Sequence, residues 1–267
     1  MNCKICGHPA DFFSSTKILQ KYSIKYYRCS YCGFVQTEYP YWLEEAYSRP
    51  INISDTGIMA RNIQNTHFAS ALLGFCFNSD GKFVDYGGGY GIFVRMMRDQ
   101  GFDFYRDDKY CANLFANGFD SSDSGTDFFD LLTAFEVFEH FVDPSEELEK
   151  LLTKSDSILF STTIIPDDPP KPTEWWYYGL EHGQHISFYT VKSLKTLAAQ
   201  RRLNFLTNYN NKHLITSRKL PHWFFKLLSK NVISKNLSIF IRRKSFTIHD
   251  YEKISGRYLN SETKLRI

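Results

Sequence analysis

A glycine-rich turn between an apolar run and a predicted helix constrains the fold of this chain more than any other stretch. Residues 82–94 read KFVDYGGGYGIFV, in which Gly87, Gly89 and Gly91 follow the spacing GxGxG. Glycine adopts positive φ and has no side chain, so a ligand can lie against bare backbone while the next helix points its N-terminus at it. This order predicts the first half of a βαβ nucleoside site.

Acidic residues lie on both sides of the turn. Asp85 precedes the first glycine by two residues, and Asp107 and Asp108 directly follow FDFY, the next apolar run. An acid about twenty residues beyond the turn is placed to bind ribose hydroxyls. The nucleoside can belong to a dinucleotide or to S-adenosylmethionine. Dinucleotide sites favour GxGxxG, whereas Ile92 occupies the position of the third glycine here, and Asp85 fits S-adenosylmethionine better.

These residues resemble the first motif of the class I S-adenosylmethionine-dependent methyltransferases, an acid followed by GxGxG, and the resemblance extends over residues 82–218. It implies an α/β fold with a Rossmann-like, seven-stranded sheet and helices on both faces. It also implies that the three glycines cradle the amino-acid part of the cofactor. Asp85 is expected to anchor the turn and the methionine amino group, and Asp108 to bind both ribose hydroxyls, with Asp107 as its neighbour.

A second motif follows the strand expected at FDLLTAF. Residues 128–144 read FFDLLTAFEVFEHFVDP and resemble the fourth strand of the family and the loop after it. Glu136 is expected to contact cofactor or substrate, because ligands bind at the carboxyl ends of strands in open α/β sheets. His140 is a candidate catalytic residue, and a helix-capping or loop-ordering role is the alternative. Ser145 is the predicted N-cap of the next helix, and Thr190 that of a later one.

A long segment, residues 164–189, leaves the carboxyl edge of the fifth predicted strand, and its end overlaps the stretch EHGQHISFYT. Loops of this length in a compact domain are usually functional. Methyl transfer requires close approach of nucleophile and methyl group, and removal of the acceptor's proton where its pKa demands it. The candidates for that proton are His185, which we favour, His182, His140 and Tyr189.

A metal site and a polar loop without catalytic role are the other interpretations of EHGQHISFYT. Glu181, His182 and His185 would be the metal ligands. The two histidines lie three residues apart with a glycine between them, and they lack the i, i+4 spacing that places two imidazoles on one helical face. We therefore expect the chain to bind a single metal ion, at its N-terminus.

Two CxxC pairs near the N-terminus predict that metal site. Cys3, Cys6, Cys29 and Cys32 each belong to a pair that continues into glycine, and 22 residues separate the pairs. Four thiolates complete a tetrahedral shell, which is typical of a structural zinc ribbon with a strand, turn and strand between its pairs. Two redox-active CxxC motifs without metal are the alternative.

Within the family, the four cysteines, the EVFEH motif and the FYT segment resemble zinc-ribbon relatives of sugar C-methyltransferases. The implied acceptor is a small molecule, such as a nucleotide sugar or a glycan end. We divide the chain into a zinc ribbon (1–40), a helical linker or cap (41–80), the methyltransferase domain (81–218) and a basic C-terminal extension (219–267). A cofactor-binding regulatory or scaffolding protein, whose ribbon recruits a partner, is the alternative function.

Composition narrows the partners. The net charge of +3 over 267 residues gives no clear sign of nucleic-acid binding, and no apolar run is as long as a membrane span. The N-terminus lacks the pattern of a signal peptide, so we expect a cytoplasmic protein. From Lys212 to His249 there are nine Lys or Arg residues and no acid. Docking of this segment onto its own domain, with Trp223, Phe224 and Phe225 buried, is the first expectation, and an anionic partner the second.

Overall fold

The computed structural model describes residues 1–48, 52, 55–241 and 243–259. These residues form two compact units. The first unit contains Met1–Ser54 and Ala134–His222, and the second contains Asp55–Thr133 and Trp223–Ile267. Each unit is therefore assembled from segments far apart in the sequence.

Strands and helices alternate through most of the described chain. The strands are β1 (Ala10–Ile18), β2 (Tyr22–Cys29), β3 (Val35–Thr37), β4 (Lys82–Tyr86), β5 (Asp103–Asp107), β6 (Leu131–Phe135), β7 (Ser157–Ser161), β8 (Ser187–Phe188), β9 (Asn204–Thr207) and β10 (Lys212–Thr216). The helices are α1 (Leu43–Ala46), α2 (Ile58–Cys76), α3 (Ile92–Asp99), α4 (Pro144–Leu152), α5 (Val191–Ala199), α6 (His222–Leu228), α7 (Asn231–Phe240) and α8 (Thr247–Ser255).

The first sheet has four strands in the order β1-β2-β3-β8. Strands β1 and β2 pair antiparallel, which confirms the strand, turn and strand predicted between the cysteine pairs. The late strand β8, from the stretch EHGQHISFYT, pairs antiparallel with β3, Val35 opposite Phe188 and Gln36 opposite Ser187. The sequence did not predict this last pairing.

The second sheet has six strands in the order β5-β4-β6-β7-β10-β9. Strand β4 pairs parallel with β5 and with β6, whereas β10 pairs antiparallel with β7 and with β9. The central residues of these parallel strands are buried, as expected of strands covered on both faces. The α/β fold class predicted from the sequence is confirmed, as is the antiparallel pair near its end.

The second sheet has six strands among the described residues, whereas the family resemblance implied seven. Between β5 and β6, residues 112–126 read ANLFANGFDSSDSGT and contribute one isolated bridge to β5, Arg106 with Asp120. Asp120 instead starts a short turn, since its N–H donates to Asp123 Oδ2 at 2.9 Å. Asn, Asp, Ser and Gly favour such turns over a continuous strand.

The N-cap of α4 is not Ser145, as predicted, but Asp143. Its Oδ1 accepts hydrogen bonds from the backbone N–H groups of Ser145 (2.9 Å) and Glu146 (3.1 Å). Pro144 then occupies the first helical position, where its fixed φ suits the helix and its missing N–H costs nothing. The predicted cap of α5 is confirmed, because Thr190 Oγ1 accepts from Ser193 N–H at 3.0 Å.

The C-terminal helices pack within the second unit. Helix α7 lies against α2, and Phe225 of α6 is buried with its ring 5.5 Å from that of Phe68. The predicted burial of Trp223 is wrong: it is 68% exposed, because α6 buries the side of Phe225 and Leu228. Arg242 of the basic segment lies outside the described residues, and an anionic partner for this segment stays a prediction. No helix in the described part of the chain has the length and hydropathy to cross a membrane.

Candidate functional site

The glycine turn after β4 has the backbone form that the sequence predicted. Gly87, Gly89 and Gly91 have φ values of 68°, 54° and 86°, in the region that favours glycine. Gly87 N–H donates to the carbonyl of Asp107 at 2.8 Å, which ties the turn to the end of β5. A Cβ on Gly88 would lie only 2.9 Å from Asp85 Oδ2. The turn is therefore held in shape, and its glycines present backbone without side chains.

Asp108 holds the turn from the other side. Its Oδ2 accepts from Gly89 N–H at 2.9 Å, and its Oδ1 accepts from the N–H groups of Tyr110 and Cys111, both at 2.8 Å. Arg106 Nε donates to the Gly89 carbonyl at 2.6 Å. Both carboxylate oxygens of Asp108 therefore accept backbone N–H groups. Ribose binding by Asp108 stays a prediction, and Asp107, at the end of β5, is a second candidate for it.

Asp85 is the buried acid beneath the turn. Its Oδ1 accepts from Thr133 Oγ1 at 2.6 Å within the second unit. Burial raises the pKa of Asp85 to about 7, further than the Thr133 hydrogen bond lowers it. The charge of this carboxyl therefore changes near neutral pH.

Glu136 follows β6 in a strained conformation. Its φ is 56°, which for a residue with a side chain costs about 1–2 kcal/mol. Its N–H donates to Ser161 Oγ at 2.8 Å, and Ser161 Oγ donates to Glu136 Oε1 at 2.5 Å. Strain of this kind is found preferentially at functional sites. The cofactor or substrate contact predicted for Glu136 stays a prediction.

In the first unit, the structure brings the three candidate histidines together. The ring centroids of His140 and His185 are 5.0 Å apart, and those of His182 and His185 are 4.8 Å apart. The ring of Tyr177 lies 4.8 Å from that of His185. Residues separated by more than forty positions therefore form one polar cluster.

Backbone carbonyls fix two of these imidazoles. His140 Nδ1 lies 3.1 Å from the carbonyl of Gln184, and His185 Nδ1 lies 2.6 Å from that of Tyr177. A carbonyl only accepts, so each Nδ1 carries the proton and each Nε2 keeps its lone pair. Burial lowers the pKa of His140 to about 4, and burial together with the neighbouring histidines lowers that of His185 well below its usual value. Both rings are neutral at neutral pH.

Tyr189 and Glu181 lie differently from what the sequence suggested. Tyr189 is fully buried, and its hydroxyl donates to the carbonyl of Phe138 at 2.8 Å. Burial raises the pKa of Tyr189 well above its usual value. The side chain of Glu181 is 65% exposed and reaches only His182, with 4.0 Å between Oε1 and Nε2. Neither residue has the surroundings of a proton acceptor or a buried metal ligand.

Glu139 is the residue of the cluster that the sequence analysis missed. It is 0% exposed, and it groups with His140 and His185 so that one potential ligand atom from each lies within 4.8 Å of the others. Burial first, and then the charge of Glu136, raises the pKa of Glu139 to about 8. Its place next to His140 was the only signal in the sequence.

The four cysteines near the N-terminus converge as predicted. All four sulfurs lie within 4.8 Å of one another, and the separations of Cys3 from Cys32, Cys6 from Cys29 and Cys6 from Cys32 are 3.6, 3.4 and 3.6 Å. Tetrahedral Zn–S bonds of about 2.3 Å place sulfurs about 3.8 Å apart. The N–H groups of Tyr31 and Cys32 point at Cys29 Sγ, both at 3.4 Å. The donor set fits a tetrahedral metal ion.

A model of the family described as "Methyltransferase domain" matches residues 58–207. No curated protein sequence matches the chain.

Several solved structures are partly similar to this chain. One is the calicheamicin-biosynthesis methyltransferase CalO1, with 14% identity, TM-score 0.41, and coverage of 60% of this chain and 55% of that one. An O-methyltransferase family 2 protein from Planctomyces limnophilus has 13% identity, TM-score 0.43, and coverage of 65% and 66%. The Burkholderia thailandensis 1,6-didemethyltoxoflavin-N1-methyltransferase has 15% identity, TM-score 0.47, and coverage of 78% and 100%. The chain thus spans between half and two thirds of the length of the first two.

The family model covers more than half of the chain and includes the glycine turn and the histidine cluster. The methyltransferase family predicted from the first motif is confirmed, whereas the likeness to sugar C-methyltransferases is finer than this match and stays a prediction. The protein belongs to the methyltransferase domain family.

Proposed function

We propose that the protein transfers the methyl group of S-adenosylmethionine to a small-molecule acceptor. The observation that carries the proposal is the glycine turn at Gly87, Gly89 and Gly91. Asp108 holds its backbone in place, and the buried carboxyl of Asp85 lies beneath it. In this proposal the turn binds the methionine part of the cofactor through backbone groups. Asp85, when ionised, attracts the methionine ammonium group, and Asp107 or Asp108 binds the ribose.

The acceptor's proton is the second requirement of the reaction. In the displacement, the acceptor atom attacks the methyl carbon, the sulfonium bond breaks, and S-adenosylhomocysteine leaves. We assign the acceptor's proton to His185, because its Nε2 keeps a lone pair and its ring is neutral at neutral pH. His140 and His182 flank it. Tyr189 contributes through packing, since its hydroxyl is already committed to Phe138.

The acceptor class we favour is a nucleotide sugar or a glycan end. The support is the sequence resemblance together with an exposed aromatic in the long loop, Trp176, which is 77% exposed and edge-on to Tyr177. An exposed indole offers a flat apolar face with a polar N–H at its edge. For the four cysteines we propose zinc in a structural role, because four thiolates leave no open coordination position.

Calorimetry with S-adenosylmethionine and S-adenosylhomocysteine tests the cofactor site. We expect the wild type to bind both, and Gly91→Ala to lose affinity. Gly91 has φ of 86°, and a Cβ there would lie 2.9 Å from Asn113 Oδ1 and 3.1 Å from Ala116 N. Strain of about 1–3 kcal/mol corresponds to a loss of roughly 5- to 150-fold.

Gly125→Ala is the matched control. Gly125 also has positive φ, 68°, but its nearest neighbour would be Lys82 Nζ at 4.0 Å, and it lies outside the turn. This variant carries the same backbone penalty without a clash in the turn, so it is expected to keep its cofactor affinity. Equal losses in the two variants, or a wild type that binds neither compound, would contradict the proposed function.

A further inference from the structure

The cluster of Glu139, His140 and His185 has the composition of a metal site. One potential ligand atom from each residue lies within 4.8 Å of those of the other two. Two hydrogen bonds hold the two chain segments together: Ile186 N–H donates to the Glu139 carbonyl at 2.9 Å, and the side-chain Nδ1 of His140 lies 3.1 Å from the Gln184 carbonyl. The three side chains are therefore brought together by the fold itself.

The carboxyl group of Glu139 has only weak compensation for its burial: burial raises its pKa by more than the Tyr177 and Thr162 side chains lower it. It is 0% exposed, and neither of its oxygens has a hydrogen-bond partner among the described residues. Burying an unpaired carboxylate costs several kcal/mol, and native proteins normally supply a cation or hydrogen-bond donors. A bound cation would stabilise the ionised form of this carboxyl, which otherwise keeps its proton at neutral pH.

The imidazoles are oriented as metal ligands usually are. Each donates its Nδ1 proton to a backbone carbonyl, that of Gln184 for His140 and that of Tyr177 for His185. Such contacts fix the tautomer, orient the ring and leave Nε2 as the atom that can coordinate. His182 differs, since its Nδ1 accepts the N–H of Gln184 at 3.1 Å.

We propose that Glu139, His140 and His185 bind one divalent transition-metal ion through a carboxylate oxygen and the two Nε2 atoms. Imidazole and carboxylate together suit zinc and its neighbours, whereas Mg²⁺ and Ca²⁺ prefer oxygen ligands alone. This ligand set differs from Glu181, His182 and His185, the set that the sequence suggested. It is also separate from the four thiolates near the N-terminus.

Three protein ligands leave a tetrahedral ion one open position, as in catalytic metal sites. A hydroxyl oxygen of the acceptor bound there would lose its proton more readily, because the ion lowers its pKa. His185 would then hold the ion, and the acceptor's proton would pass to water; with the ion bound, this route replaces the proton transfer to His185 proposed above. This role rests on the proposed methyl transfer, whereas the binding of the ion does not.

Metal titration tests the proposal directly. Zn²⁺ or Co²⁺ is titrated into the full chain, with binding followed by calorimetry and, for Co²⁺, by absorption. We expect the wild type to bind a second equivalent that lacks the sulfur-to-metal absorption of the thiolate site. Glu139→Gln is expected to lose that equivalent, while Glu181→Gln, the exposed neighbouring acid, retains it.

Thermal unfolding gives a second measurement on the same variants. Without added metal, Glu139→Gln is expected to be at least as stable as the wild type, because the amide is neutral, like the protonated carboxyl of the metal-free protein, and cannot ionise. Added Zn²⁺ beyond the thiolate equivalent should raise the Tm of the wild type and of Glu181→Gln, but not that of Glu139→Gln.

A wild type that binds metal at the thiolates only would overturn the proposal, and would indicate instead a protonated Glu139 sharing its proton with an imidazole. Retention of the second ion by Glu139→Gln would overturn it as well. Cofactor calorimetry on the same preparations keeps the two proposals apart. Loss of S-adenosylmethionine binding with the second ion still bound would count against the methyl transfer alone.

Discussion

At the scale of single residues, Asp85 is a buried acid whose charge depends on its surroundings. Burial raises its pKa to about 7, so the carboxyl is largely protonated just below neutral pH and largely ionised above it. Only the ionised form attracts the ammonium group of methionine. We therefore expect the affinity for S-adenosylmethionine to rise with pH through neutrality, and to fall by up to about tenfold for each pH unit below the pKa.

Calorimetry across this pH range measures the effect. Asp85→Asn is the comparison, because the amide keeps the shape and the Thr133 contact but has no charge to titrate. Its cofactor affinity is expected to be weak and independent of pH. A wild-type cofactor affinity that does not change with pH would show that the charge of Asp85 does not contribute to binding.

The residues that the sequence predicted are those whose signal is local. Gly87, Gly89 and Gly91 follow one another within five positions, and their turn chemistry can be read without knowing the rest of the fold. Glu139 shows the opposite case. Its place in the cluster depends on His185, which β8 and the backbone contact of Ile186 bring close to it. No sequence spacing links Glu139 with His185.

At the scale of elements, a buried ion pair joins helix α8 to helix α3 within the second unit. Arg98 Nε and a terminal nitrogen donate to the two oxygens of Asp250, both at 2.8 Å, and each side chain is 2% exposed. The Arg98 guanidinium also lies 3.7 Å from the ring centroid of Phe119 and 2.6 Å from Asp103 Oδ1. A bidentate pair of this kind fixes both position and angle.

We expect Asp250→Ala to lower the free energy of unfolding by about 3 kcal/mol, because it leaves a buried guanidinium partly uncompensated. Urea unfolding measures the change, and hydrogen exchange should show faster opening of α8. Glu149→Ala is the control: Glu149 pairs with Arg201 at the surface and is 62% exposed, where such pairs are worth about 0–1 kcal/mol. Similar losses in both variants would contradict a special role for the buried pair.

Elements with a long periodic pattern were predicted, and very short ones were not. Strands β9 and β10 and helix α5 have patterns long enough to read from the sequence. Strands β3 and β8 have three and two residues; β3 pairs with its neighbour β2, and β8 pairs with the distant β3. The N-cap of α4 was misplaced because the sequence offers Asp143 and Ser145 on either side of Pro144.

At the scale of the whole molecule, the cysteine ribbon shares its core with a much later segment. Buried residues of the ribbon, among them Ile24, Tyr26 and Val35, belong to one apolar cluster with Tyr178 and Phe188. The boundaries 1–40, 41–80, 81–218 and 219–267 stay predictions, since the sequence alone cannot show which distant segments pack together. The contacts group residues 1–54 with 134–222.

Loss of the ribbon metal is therefore expected to loosen more than the ribbon. We expect Cys29→Ser to release the metal and to speed amide exchange in residues 177–188 as well as in residues 1–40, as hydrogen exchange with mass spectrometry would show. Cys76→Ser, at the end of α2, lies outside the thiolate cluster and should keep the metal and the wild-type exchange. Faster exchange confined to residues 1–40 would mean that the ribbon folds independently.

The pairing of β3 with β8 links the ribbon sheet to the segment that carries His185. Ser187 lies opposite Gln36, only two residues after His185, so the ribbon sheet serves as the support on which this histidine is aligned. Oxidation of the thiolates or depletion of zinc would act on the histidine cluster through that support. A structural ion bound by cysteines distant in sequence from the histidine cluster would in this way be required for the reaction.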